Sequence, residues 1–233
     1  RAKIMKGNLF QQLIEYYSLN AGYLWGLFFQ HLLMSVYGVI FAAIVGIPIG
    51  ILISRFGKLS KTVITIANII QTVPVIAMLA ILMLVMGLGP TTVVVTVFLY
   101  ALLPIIQNTY SGIIGVDANI KDAGKGMGMT GNQVLRMIEL PLALSVIIGG
   151  LRIALVVAIG VVAVGSFIGA PTLGDIIIRG TNATDGTTFI LAGAIPIALI
   201  AVIIDIVLRF LEKRLDPVKK RKPKGPLPQG VDG

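Results

Sequence analysis

The 233 residues are 56% hydrophobic and only 12% charged, with a mean hydropathy of +0.96 and a formal net charge of +9. Soluble domains carry about 25% charged residues, so the composition excludes an ordinary globular domain and points to an all-α integral membrane protein. With no cysteine and one histidine, His31, disulfides, thiolate nucleophiles and Cys-based metal sites are excluded and metal catalysis is poorly supported; no catalytic or metal-binding residue is nominated.

The chain opens Arg-Ala-Lys-Ile-Met, and residues 1–4 are read as a processing remnant, with no cleavable signal peptide behind them. Residues 1–30 are expected to form an extracytoplasmic arm. Within it, Phe10, Leu13, Ile14, Tyr16 and Tyr17, then Leu24, Trp25, Leu27 and Phe28, give residues 8–30 the pattern of an amphipathic aromatic segment lying along the outer interface. A sixth crossing is the rival reading. It would have to fit two spans between Trp25 and Ile53, which a rise of about 1.5 Å per residue forbids.

Five membrane helices are expected, over 31–53, 62–86, 91–114, 142–168 and 189–211, each close to the ~17–25 residues that cross the hydrocarbon. The intervals Glu15 to Arg55, Lys61 to Asp117, Arg152 to Asp175 and Asp185 to Asp205 contain no Asp, Glu, Lys or Arg. Lys and Arg set the orientation. Arg55, Lys58 and Lys61 in the first connection, Lys121, Lys125 and Arg136 in the loop 115–141, and eight more from Arg209 onward lie on one side, fourteen against four on the other. The loop 115–141 and the C-terminus are therefore assigned to the cytoplasm and the N-terminus to the exterior.

Inside the second helix Asn68, Gln71, Thr72 and Pro74 interrupt the apolar run, and inside the third Tyr100, Pro104, Gln107 and Asn108 do the same. Polar groups and helix breakers at membrane depth are tolerated where they face protein or a water-filled cavity. Gln71, Thr72, Tyr100 and Asn108 are accordingly the candidate lining of a translocation path. Hydrogen bonding between helices is the competing explanation.

The loop 115–141 is a polar, glycine-rich island reading Asp122-Ala123-Gly124, then Gly128, then Ile138-Glu139-Leu140-Pro141. Small residues at 123, 124 and 128 permit close backbone approach, and Pro141 is expected to stop one helix and start the next. Gly165, Gly169, Pro171, Leu173 and Gly174 lie where the fourth helix is expected to leave the membrane. Arg152 and Asp205 lie at similar depth inside the fourth and fifth spans and are expected to form a buried pair, with Arg209 as the rival partner of Asp205 at i+4. Residues 212–233 include Lys219-Lys-Arg-Lys-Pro-Lys-Gly-Pro and read as a basic, disordered cytoplasmic tail.

The acidic-small-small bend, with Gly128 and then Ile138, Leu140 and Pro141 at their spacing, resembles the cytoplasmic Glu-Ala-Ala loop of ATP-binding-cassette importer permeases. Asp122 stands where that family has Glu, and Gly124 where it has the second Ala. Gln-Thr-Val-Pro at 71–74 and Leu-Pro-Ile-Ile-Gln-Asn-Thr-Tyr-Ser-Gly at 103–112 resemble helices of the osmoprotectant-importer permeases for glycine betaine, carnitine and choline. Phe-Ile-Gly-Ala at 167–170, followed by Leu173-Gly174, is similar to another segment of those permeases, with Pro171-Thr172 in place of the usual Gly-Gly.

The resemblance covers roughly 31–211 and implies the type I importer permease fold shared with methionine importers. It implies ATPase coupling at Asp122, Ala123, Gly124, Gly128, Ile138, Leu140 and Pro141, with Asp122 capping its helix, and an outer gate at Gly169, Leu173 and Gly174. It also implies partners: ABC ATPase subunits holding ATP and Mg, an extracytoplasmic substrate-binding lipoprotein, and a second permease subunit, identical or paralogous, in a bacterial plasma membrane. The chain has no phosphate-binding Gly-x-x-x-x-Gly-Lys-Ser/Thr loop, so no cofactor is expected in it, and no nucleic-acid partner. A methionine or amino-acid importer permease is the alternative. An ion-coupled secondary transporter would need mid-membrane carboxylates and a membrane hydrolase a nucleophile-base pair; Asp205 and His31 are poor candidates for either.

Overall fold

A computed structural model of the protein describes residues 8–215. The expected arm before Asn8 and the tail from 216 onward lie outside the described residues. Among those described there is no β-strand; the chain folds into helices linked by short turns.

The elements are α1 (Leu9–Leu19), α2 (Ala21–Arg55), α3 (Gly57–Thr72), α4 (Val75–Met86), α5 (Pro90–Ile114), α6 (Ala118–Gly126) and α7 (Gly131–Val134). A π-helical turn (Leu135–Glu139) then leads into α8 (Leu140–Val164), a 3₁₀ turn (Gly165–Ile168), α9 (Gly174–Thr181) and α10 (Thr187–Leu215). Four of these helical stretches, Ala21–Arg55, Pro90–Ile114, Gly131–Ile168 and Thr187–Leu215, are long and apolar enough to cross a membrane. The pair α3 and α4 makes a fifth, bent by 95°.

Three expectations are corrected here. The first long helix begins at Ala21, so 21–30 is its leading part and only α1 remains as a separate N-terminal helix; no proline interrupts the run before Pro48. The second span is two helices and not one straight rod over 62–86. Pro74 has no N–H to continue the ladder and pushes Val73 into extended backbone (φ −67°, ψ 128°). Pro141 does not stop a helix: the backbone stays helical from Gly131 to Ile168. The π turn accommodates it, with Leu140 N–H donating to Leu135 O five residues back.

Small residues decide how the bundle closes. Gly38, Ala42, Gly46 and Gly50 recur every fourth residue on the buried side of α2. A Cβ on Gly38 would lie 2.3 Å from Val97, one on Gly46 3.0 Å from Ile105 and one on Gly50 2.6 Å from Thr109, so α2 and α5 run parallel with their backbones close. Against α8, α5 runs antiparallel: Gly112 faces Ala143 and Val146, Gly150 faces Asn108, and Gly165 faces Val93. The resulting core is built from α2, α5 and α8 through Val39, Ala42, Val93, Val97, Ala154 and Val162.

Prolines inside helices leave carbonyls without a donor, and neighbouring side chains fill them. In α10, Pro196 frees the Ala192 carbonyl, which accepts from the Tyr17 hydroxyl of α1 at 3.2 Å. Thr188 also donates to Gln12 at 2.6 Å, and these two bonds fasten α1 onto α10.

The two ends of the bundle differ in charge. One end gathers Arg55, the α3 lysines Lys58 and Lys61, α6, α7 and the end of α10, and carries the basic residues other than Arg152 and Arg179 among those described. The other end holds the start of α2, the 87–90 turn and α9, with Arg179 as its single Lys or Arg among the described residues.

Candidate functional site: the α6–α7 loop, the kinked span and the outer bend

At the basic end, α6 is capped by Asp117, whose side chain accepts from Asn119 N–H at 2.8 Å. Asp122 is thus not the cap; it sits midway along α6, exposed, and pairs with Lys125 at 3.1 Å. The motif spacing says nothing about where a helix starts, and the earlier Asp takes the cap because it directly precedes the helix. Ala123, Lys125 and Gly126 are exposed beside it. Gly124 is buried: a Cβ there would lie 2.6 Å from Ile138 Cδ1 and 3.2 Å from Met129 Sδ, so its lack of a side chain is what lets α6 lie on the helix that follows. Gly128 turns the chain with φ +84°, a left-handed backbone that glycine adopts at no cost. Thr130 caps α7 by exchanging bonds with Gln133, at 2.7 and 3.4 Å.

Glu139, named in the motif but given no role by sequence, is the buried acid of this loop. It is 2% exposed and is gripped by Arg55 at the end of α2: Nη1 donates to Oε1 at 3.2 Å and Nη2 to Oε2. The signal in the sequence was an acid between two apolar residues and an arginine ending an apolar run, 84 positions apart.

At the kink, the structure joins Gln71 and Tyr100 and explains both. Pro104 frees the Tyr100 carbonyl, and Gln71 Nε2 donates to it at 3.3 Å. In return the Tyr100 hydroxyl donates to the Val73 carbonyl, left open where α3 ends. Thr72 is exposed at the same bend and donates to Ile69 O at 2.7 Å. Asn108 is not part of this group. Its amide donates to Pro104 O at 2.8 Å and its Cβ occupies the space opposite Gly150. Tyr100→Phe is expected to cost about 1 kcal/mol, because the Val73 carbonyl loses the side-chain donor it has among the described residues. The check is the melting temperature of the purified protein in detergent; an unaltered value would contradict this account of the bend.

At the opposite end, Gly169 closes the 3₁₀ turn in the left-handed region, φ +76°. Leu173 is 1% exposed. Gly174 opens α9 so close to α8 that a Cβ would sit 1.9 Å from the Ala163 carbonyl oxygen. Thr172 bonds Ser166 at 2.5 Å and accepts from Gly174 N–H at 3.1 Å. Pro171-Thr172 therefore fixes this bend where two glycines would leave it loose.

Between the ends, Arg152 of α8 donates to Asp205 of α10 at 2.8 Å. Arg209 holds the other Asp205 oxygen at 2.7 Å, so the two expected partners are present together. A fourth member was missed from sequence: Glu212, whose carboxylate is 3.3 Å from Arg152 Nε.

The model for binding-protein-dependent transport system inner membrane components matches residues 46–217. The chain belongs to this family. The permease is 63% identical over 212 residues to the glycine betaine/carnitine/choline transport system permease protein OpuCD of Bacillus subtilis (strain 168), covering 91% of this chain and 93% of that one. It is 61% identical over 214 residues to the carnitine transport permease protein OpuCD of Listeria monocytogenes serotype 1/2a (strain 10403S), with 91% and 96% covered. To the choline transport system permease protein OpuBD of Bacillus subtilis it is 58% identical over 215 residues, with 92% and 95% covered. Among solved structures, a chain of the inward-facing MetNI methionine ABC transporter superposes with a TM-score of 0.75 over 84% of the permease and 97% of its own length. At 22% identity that match establishes the fold alone. The chain is thus a multi-pass membrane protein with the type I importer permease fold.

Proposed function

We propose that this permease carries a small quaternary ammonium osmoprotectant, of the glycine betaine, carnitine and choline class, into the cell, with the energy supplied by ATP hydrolysed on a separate subunit. The observation that carries this reading is the nearly full-length identity with three permeases named for these solutes. The methionine alternative rests on shared fold at low identity and is the weaker reading.

The α6–α7 loop is the ATPase docking surface in this proposal, with Asp122, Ala123 and Gly128 at the surface, Gly124 and Ile138 setting how α6 rests on the π turn, and Leu140 and Pro141 carrying that turn into α8. Met127 and Met137, 77% and 67% exposed beside the small residues, supply adaptable apolar contact for it. The segregation of basic residues to this end supports placing it in the cytoplasm and the N-terminus outside.

Gln71, Thr72 and Tyr100 border the pathway at the bent span, Asn108 fixes the adjoining α5–α8 seam, and Gly169, Leu173 and Gly174 form the outer gate beneath a substrate-binding protein. A second permease subunit completes the conduit; ATP and Mg are held by the ATPase, and this chain needs no cofactor of its own. Labelled glycine betaine uptake into vesicles containing the whole assembly is expected to require ATP and to be competed by carnitine or choline. Competition by methionine alone, or uptake driven by an ion gradient with no ATP, would refute the proposal.

A further inference from the structure

The Arg55–Glu139 pair joins two parts of the fold that a transport cycle must move together. Glu139 ends the π turn, with its side chain 3% exposed, and both of its oxygens meet the two Nη atoms of Arg55, the last residue of α2. A forked arginine–carboxylate contact fixes direction as well as distance, and a buried acid held this way is costly to release.

From Glu139 the contacts lead back through Ile138 to Gly124 of α6. From Arg55 they lead along α2, one continuous helix, to its other end. There the Tyr23 hydroxyl donates to Asp175 at 2.7 Å and accepts from Arg179 at 2.8 Å, and both of those residues belong to α9, directly after Gly169, Leu173 and Gly174. Arg179 also lies over the Tyr23 ring at 5.3 Å and pairs with Asp175 at 2.6 Å. One helix, unbroken through Pro48, is therefore clamped at its base to the α6–α7 loop and at its top to the outer bend.

We propose that Arg55 and Glu139 are positioning residues that pass the displacement of α6 to α2, and through α2 to α9. The inference rests on reading α6 as the ATPase contact. A clamp needed only for folding would change the amount of assembled protein. A positioning pair changes how much solute moves per ATP hydrolysed.

Both quantities are measured together in vesicles holding the complete assembly with its ATPase and binding protein, using labelled glycine betaine. In Glu139→Gln, uptake per ATP is expected to fall roughly fivefold, within the range that changes along coupling networks produce, while assembly and hydrolysis persist. The exchange of Arg55→Glu with Glu139→Arg is expected to recover more than half of the loss. Arg55→Lys, which keeps the charge and loses the fork, is expected to fall at least about twofold.

An assembled Glu139→Gln or Arg55→Lys with unaltered uptake per ATP overturns the inference, as does a loss that the exchange leaves in place. Failure of both single variants to assemble also overturns it, since it marks a folding clamp. Wild-type vesicles that hydrolyse no ATP strike instead at the importer reading itself.

Discussion

Gly174→Ala is expected to remove almost all folded permease from the membrane. The added methyl would lie 1.9 Å from the Ala163 carbonyl oxygen and 2.7 Å from Ser166 Oγ. A backbone atom cannot rotate aside, so α9 would have to lift from α8, breaking the Gly174 N–H bond to Thr172 and exposing Leu173. Overpacking of this kind costs roughly 3 kcal/mol, the upper end for one added methyl group. Membrane-inserted yield and the detergent melting temperature report it. Gly160→Ala is the control, because no atom lies within 4 Å of a Cβ at Gly160. Equal yields for the two variants would show that α9 does not rest on α8 as described.

Arg152→Met is expected to have the second largest effect. Arg152 is 23% exposed and stands between Asp205 and Glu212, whose side chains are 28% and 31% exposed. Its removal leaves two carboxylates with, among the described residues, Arg209 as the single close cation on Asp205 and none on Glu212. An unpaired carboxylate at the edge of a span is destabilising. Adding Glu212→Gln to Arg152→Met should recover part of the loss by removing the abandoned charge. Asp205→Asn alone should be milder, since Arg152 keeps Glu212. A melting temperature in Arg152→Met equal to wild type, or a double variant no better than the single one, would show that the network contributes nothing.

The spans, the polar loop and the Arg152–Asp205 depth match were legible because each depends on local pattern or on distance along a helix axis. The 95° bend was legible only in part. Pro74 announces a break, but its direction is held by Gln71 and Tyr100, and the reason those two pair is Pro104 on a different helix. The same holds for Tyr17 and Pro196: the proline is visible, while the side chain that answers its freed carbonyl comes from another element. Asp122 was misplaced as a cap because the acidic-small-small pattern fixes residue types and leaves helix phase open; Asp117, with Asn119 two residues on, held that information. The start of α2 was set too late because aromatic and apolar residues at 21–30 fit both an interfacial strip and a continuous helix. Glu139 stands in the motif without a role because its partner lies 84 residues away, and no periodicity reaches that far.

The 35 residues of α2 have a consequence for the lipid. At about 1.5 Å per residue the helix is roughly 52 Å long, against some 30 Å of hydrocarbon. The excess must be absorbed by lean or by turns standing in the headgroups, at a cost of fractions of a kcal/mol for each ångström of mismatch. Acyl-chain length in the surrounding bilayer therefore biases the inclination of this helix, so fatty-acid composition becomes a variable in how readily the permease changes shape.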